Sequence, residues 1–344
     1  MKFSLFLHME RNDTAKSYSQ LFDELTELVQ IAEEGGFETA WIGEHHGMQF
    51  TIAPNPFINI AYLGARTSRI RLGTGTVIAP FWHPIKLAGE AALADIATGG
   101  RLDVGIARGA YSFEYERLMP GLDAWGAGQR LRELVPTVRK LWEGDYAHEG
   151  EFWSFPSTTS APGPVQSYPP LWIAARDPNS HDFAVSNGCN VQVTPLASGD
   201  GEVASLMERF NTACAAHPEI PRPQIMLLQH TFVADSAEET ERLSRDLSDF
   251  YCAFGAWFKN QRPIRQGFIE PLTAEEKAEM PMYSPQNMRE KLVIGQPNEV
   301  IARLSGYKAL GYDQYSMWID SGISHERKKK SLELFIRNVM PAFA

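Results

Sequence analysis

Short apolar runs alternate with longer amphipathic ones along almost the whole chain. Residues 3–7 read as a strand and 17–34 as a helix closed by Gly35 and Gly36, so the chain begins with a βα unit. Residues 39–42 follow as a second strand, and 56–67 as a second helix with Phe57, Ile60 and Leu63 on one face. Strands at 70–75 and 102–107 and helices at 84–97 and 129–142 keep the beat. It resumes with strands at 171–174, 190–194, 225–233 and 314–319, and helices at 178–187, 201–216, 236–254, 297–310 and 325–340. Eight strands, each followed by a helix, predict an α/β fold, a (β/α)8 TIM barrel occupying residues 1–344 as a single domain. A doubly wound sheet would more often carry a glycine fingerprint after the first strand, and residues 7–11 have none.

Two stretches break the rhythm and read as insertions, after strands four and seven. Residues 144–170 are rich in Pro, Ser, Thr and Gly, with Phe152, Trp153, Phe155 and Tyr168 among them. Residues 256–292 read as irregular, with Trp257, Phe258, Phe268, Met280, Met282 and Tyr283.

The 32 basic against 42 acidic side chains leave a net charge of −10, which disfavours nucleic acid and anionic membranes as partners. Cys189, Cys214 and Cys252 show no metal-ligand spacing and point to a reducing compartment. Glu10, Arg11 and Asp13 follow the apolar start too closely for a signal peptide, and Pro54 and Pro56 interrupt the longest charge-free stretch. No membrane span and a cytoplasmic location are the expectations.

One run concentrates chemistry. Trp41 and Ile42 end a buried strand, and Gly43 leads into Glu44, His45 and His46, a carboxylate and two imidazoles suited to proton transfer. The plainer reading is a polar rim in which Glu44 satisfies a histidine. In a barrel the strand ends face one mouth, so this run would meet His8 and Met9, then Gly75 and Thr76 with His83, then Arg108 and Tyr111, then Arg176, Asn179 and Ser180, then Thr194. Arg108, Arg176 and the start of the fifth helix suit a dianionic phosphate, provided Asp177 caps its own helix. Otherwise the arginines pair with rim carboxylates such as Glu44 and Asp177. A metal hydrolase fares poorly, because adjacent His45 and His46 project apart and no His-x-His or His-Glu-x-x-His motif exists. No metal site is predicted.

Taken with Glu44-His45-His46, several motifs add up: Arg71 to Gly75 followed by Pro80 and His83-Pro84, Gly99 to Leu102, Gly105 to Tyr111, Ile294 to Val300, and the closing Val339-Met340-Pro341. The combination resembles the bacterial luciferase family of flavin-dependent monooxygenases over nearly the whole chain. The resemblance implies reduced FMN bound at the barrel mouth, reaction with O2 to a flavin hydroperoxide, and insertion of one oxygen atom into a small organic substrate. It further implies a separate NAD(P)H-dependent flavin reductase as partner and a homodimer built through early helices. Carried over by position, His45 is the acid or base, supported by Glu44. Arg108, Ala110, Tyr111, Arg176, Asn179 and Ser180 fall at the cofactor, and Gly75-Thr76 lies where the family has a non-proline cis peptide. Ala107 stands in place of a cysteine found in luciferase, and residues 256–292, which the resemblance makes the lid, have a sequence of their own character, so light emission is not implied. Met9, Tyr111, Phe113, Trp153 and the lid aromatics are the candidate pocket lining. Three other readings stay open: a deazaflavin-dependent oxidoreductase on the same fold, a noncatalytic partner subunit of a luciferase-like heterodimer, and last a metal hydrolase.

Overall fold

The computed structural model describes residues 1–344. In chain order the elements are β1 (Lys2–Leu7), α1 (Tyr18–Glu34), β2 (Thr39–Ile42), α2 (Pro56–Gly64), β3 (Arg71–Ile78), α3 (Pro84–Ala97), β4 (Leu102–Ala107), α4 (Ser112–Leu118), α5 (Ala124–Glu143), β5 (Tyr146–Glu149) and β6 (Ser154–Thr158). Then come β7 (Leu171–Ala174), α6 (Pro178–Ser186), β8 (Asn190–Val193), α7 (Asp200–Ala216), β9 (Ile225–Val233), α8 (Ala237–Lys259), β10 (Ile264–Arg265), β11 (Phe268–Ile269) and α9 (Ala274–Ala278). The chain finishes with α10 (Pro285–Lys291), β12 (Val293–Gly295), α11 (Pro297–Leu310), β13 (Gln314–Trp318) and α12 (His325–Leu334).

Strands β1, β2, β3, β4, β7, β8, β9 and β13 pair in parallel in that order, and β13 returns to β1, closing the expected eight-stranded barrel. β12 only extends the sheet beside the end of β9. The helices start where local chemistry permits. Ser17 and Gln20 form a reciprocal cap on α1, Asn55 caps α2 ahead of Pro56, and the His83 ring caps α3 ahead of Pro84.

Large rings from one strand occupy the space that glycines leave on the next. A Cβ on Gly73 would meet the Trp41 indole at 2.3 Å, and one on Gly75 would meet Phe6 at 2.9 Å. The Trp41 and Trp172 rings then touch edge to face across the interior, 5.3 Å between centroids. This filling makes the barrel a packed core and pushes ligand binding to its mouth.

Both irregular stretches differ from expectation. Residues 144–170 carry the β5–β6 hairpin, which lies on the outer side of α5: Glu133 accepts from the backbone N–H groups of Glu151, Phe152 and Trp153. Their return path is held by Gln166 on Asp95 and on Arg71, the first residue of β3, at the face opposite the mouth. Trp153 is held beside α5 through its backbone N–H to Glu133. Residues 256–292 are mostly ordered: α8 runs on to Lys259, and the β10–β11 hairpin, α9 and α10 follow. The apolar period of α8 continues through Trp257, which is why it outlasts its expected end.

The seam between first and last strands is held by charge. Lys328 of α12, itself buried, donates to Glu10 at 2.9 Å and to Asp320 at 2.8 Å, and Asp320 also accepts the backbone N–H of His8. Burial pushes Asp320 up to about 7 despite the ammonium beside it. Lys328→Met should strand two buried carboxylates and lower stability by about 3 to 5 kcal/mol, measured by urea unfolding; an unchanged midpoint would show the seam to be held otherwise.

Candidate active site

β2 ends at Ile42, and Gly43 follows without a side chain because the His8 ring fills that place: a Cβ would lie 2.2 Å from it. Glu44 comes next and is 1% exposed. Its carboxylate accepts from the Ile78 N–H at 2.7 Å and from the Trp82 indole N–H at 2.8 Å, and it pairs with His46 Nε2 at 2.8 Å. Glu44 does not reach His45. Alternate residues of an extended segment share a side, so Glu44 and His46 face one way and His45 the other.

His45 turns instead to Glu114 of α4, Nδ1 to Oε2 at 3.1 Å, and its backbone bridges Ala53. Glu114 is likewise 1% exposed, and its second oxygen accepts the His46 backbone N–H at 2.7 Å. A carboxylate accepting at Nδ1 leaves the proton there and frees Nε2 to receive one. The His45 ring lies 5.2 Å from Tyr111 and 5.7 Å from His8. His8 is held neutral, well below the usual histidine range, by burial and by the charges of His45, His230 and Lys328 around it. Its Nδ1 has no hydrogen-bond partner.

Across the mouth, β4 delivers Arg108 and Ala110, both exposed, and Tyr111, which is buried. Arg108 donates to the Ala124 carbonyl at 3.1 Å and forms no ion pair. After β7, the Arg176 backbone N–H donates to Ser180 Oγ, and its guanidinium comes no nearer than 3.8 Å to Glu202. Asn179 offers its carbonyl to Arg132 of α5 at 3.1 Å. Asp177 does cap α6, accepting the Ser180 N–H at 3.1 Å, so part of that helix terminus is already satisfied. Arg132 and Arg176 thus stand at the start of α6 and Arg108 at the start of α5; Arg108 and Arg132 make no ion pair, and Arg176 makes only the long one to Glu202. That donor set fits the phosphate of FMN.

The Gly75-Thr76 peptide is cis, and the Thr76 carbonyl accepts the Glu44 N–H. α8 spans the mouth above it, with Phe258 on Tyr111 at 4.8 Å and Phe254 behind. His148, His181, His217, His230 and His325 all have local partners: Glu133, the Asp177 carbonyl, Asp182, Tyr251 and Glu27. Glu114 escaped the sequence reading because α4 is too short to show a period. Its one trace is an acid set between Phe113 and Tyr115, just past Arg108.

Burial of His46 works against its charge, but the hydrogen bond to Glu44 and the charges of Glu44 and Glu114 raise its pKa above the usual value. The folded protein therefore holds this proton more tightly than the unfolded chain. The resulting stability is complete below about pH 6.5 and is lost as pH rises through the raised value. In Glu44→Gln that loss should flatten; urea unfolding at a series of pH values from slightly acid to slightly alkaline, with an unchanged slope, would refute the pairing.

Comparison with known proteins agrees with this geometry. Residues 1–314 match the family model for luciferase-like monooxygenases. The chain is 63% identical over 345 residues to the oxygenase component of a flavin-dependent trigonelline monooxygenase from Acinetobacter baylyi, covering 100% of this chain and 96% of that one. Among solved structures it resembles monooxygenase RslO1 from Streptomyces bottropensis, with TM-score 0.82, 26% identity and 100% of both chains covered. The FMN complex of the oxygenating constituent of 3,6-diketocamphane monooxygenase from Pseudomonas putida shares the fold, with TM-score 0.78, 20% identity, and 99% and 98% covered. By its motifs, its barrel and the length of these matches, the chain belongs to the luciferase-like monooxygenase family.

Proposed function

We propose that this chain is the oxygenase component of a two-component system that receives reduced FMN from a separate NAD(P)H-dependent reductase and transfers one oxygen atom of O2 to trigonelline. Family membership makes it a flavin-dependent monooxygenase. The observation carrying the substrate is the 63% identity to the trigonelline enzyme along the full chain. That relative also favours FMN over a deazaflavin, and an oxygenase over a noncatalytic subunit. Reduced FMN, when bound, supplies the electrons that activate O2.

The protein supplies the rest. Arg108, Arg176, Asn179 and Ser180, helped by Arg132, hold the phosphate end, and Gly75, Thr76, Ala110 and Tyr111 line the cofactor's seat. His45 holds or delivers a proton at Nε2, and Glu114 fixes its ring from the other side. Glu44 acts through the loop, as a positioning residue. The barrel works as one domain with residues 256–292 as its cover, which limits water at the mouth. No helix is long and apolar enough to cross a membrane, and three free cysteines suit a reducing cytoplasm. Ile58 of α2 with Leu93 and Ile96 of α3, which are 67%, 58% and 43% exposed, supply an apolar face for a homodimer.

With a flavin reductase, NADH, FMN and O2, the purified chain should convert trigonelline to a product one oxygen atom heavier, read by mass spectrometry under 18O2. His45→Ala should bind reduced FMN normally yet form product about 100-fold more slowly or worse. Arg108→Ala should weaken FMN binding, and unaltered affinity would remove it from the phosphate site. The double variant Ile58→Glu, Leu93→Glu should run as a monomer in light scattering; an unchanged dimer mass would place the interface elsewhere.

A further inference from the structure

Two cavities share the wall made by Phe254. One, of about 290 Å³, lies beside Arg176 and Leu196 and belongs to the cofactor side described above. The other, of about 350 Å³, lies between the ends of β1 and β13, α8 and the β10–β11 hairpin. In the barrel order, the β13–β1 seam stands opposite the β4–β7 pair that carries the cofactor arginines. The second cavity thus faces the first across the mouth, and Phe50 connects it to the proton chemistry: Phe50 meets Tyr111, and Tyr111 meets His45.

Its lining is unusual in two respects. Phe50, Phe250, Phe254 and Trp257 form a continuous aromatic shell, with Phe50 on Trp257 nearly parallel at 6.0 Å and Phe250 on Phe254 nearly parallel at 5.6 Å. At the rim stands Arg11, whose guanidinium donates to the Thr14 and Lys16 carbonyls and the Tyr18 hydroxyl but pairs with no carboxylate. The acids nearby are already engaged, Asp246 by Arg327 and Asp249 by Lys277. The hairpin closes over the cavity through the Gln49 N–H to the Gly267 carbonyl, 2.9 Å.

We infer that this cavity is the substrate subsite and that it takes a flat N-alkylpyridinium carboxylate, with the cationic ring against the aromatic shell and the carboxylate at Arg11. Aromatic faces attract a quaternary nitrogen that cannot accept or donate a hydrogen bond. A guanidinium without an acid partner recognises a carboxylate in a way no aromatic ring does. The inference rests on the proposed oxygenation of a pyridinium substrate and adds the residues that select it.

The test is equilibrium binding, by calorimetry, of trigonelline and of N-methylnicotinamide, which keeps the cation and lacks the carboxylate. Arg11→Ala should weaken trigonelline about 10- to 100-fold and leave N-methylnicotinamide within about 2-fold, while Arg11→Lys should retain most of the trigonelline affinity. Phe50→Leu should weaken both ligands and spare nicotinate, which has no fixed cation. If Arg11→Ala weakens both ligands equally, or neither, the carboxylate contact is wrong. Should Arg11→Ala not fold, the Arg11→Lys and Phe50→Leu comparisons decide. Wild-type turnover of trigonelline with no discrimination among the variants overturns this subsite alone; no binding and no turnover of trigonelline by the wild type overturns it together with the proposed substrate.

Discussion

Two carboxylates removed from water govern the mouth of this barrel. Glu44 and Glu114 are each 1% exposed, and a carboxylate so placed must find donors for both oxygens or lose its charge. Glu44 finds them in the backbone at the end of β3, in the Trp82 indole and in His46; Glu114 finds them in His45 and the His46 backbone. Three segments distant in sequence are fixed to one another as a result. The histidine loop is held from both sides, and His45 Nε2 is left without a partner.

The mouth is divided by charge and polarity around this fixed point. On the β4 and β7 side, Arg108 and Arg132 make no ion pair and Arg176 only a long one to Glu202, which suits a phosphate. On the opposite side, aromatic rings from the loop after β2 and from α8 shape an apolar space with one cation at its rim. Phe254 stands between the two cavities, so one helix, α8, bounds both.

The barrel itself was legible because its signals are local. β2, α3, β4, β7, β9 and α11 have the bounds expected from alternation, caps and breakers, since each is set by residues within one turn or one strand of its ends. The cap at Asp177 was legible for the same reason. The partner of His45 was not: Glu114 is 69 positions away in a seven-residue helix, and its carboxylate is defined only by what folds around it. Glu44 was assigned to the wrong histidine because the alternation of an extended backbone continues past the strand. Trp153 looked like pocket lining by composition, whereas its position depends on Glu133 drawing the hairpin onto the outside of α5.

The cluster of Glu10, Asp320 and Lys328 joins residues up to 318 positions apart, and the His8 backbone is held by Asp320 from 312 positions away. A ribosome delivers His8 and Glu10 long before Lys328. Glu44, His45, Arg108 and Arg176 thus leave the ribosome well ahead of the latch that ties β1 to β13. A nascent or truncated chain carries the reactive side chains without their geometry, with Glu10 still hydrated and the barrel open along one side. The arrival of α12 is in this sense a checkpoint written into the fold: the seam between β1 and β13 gains its buried charge pairing only then.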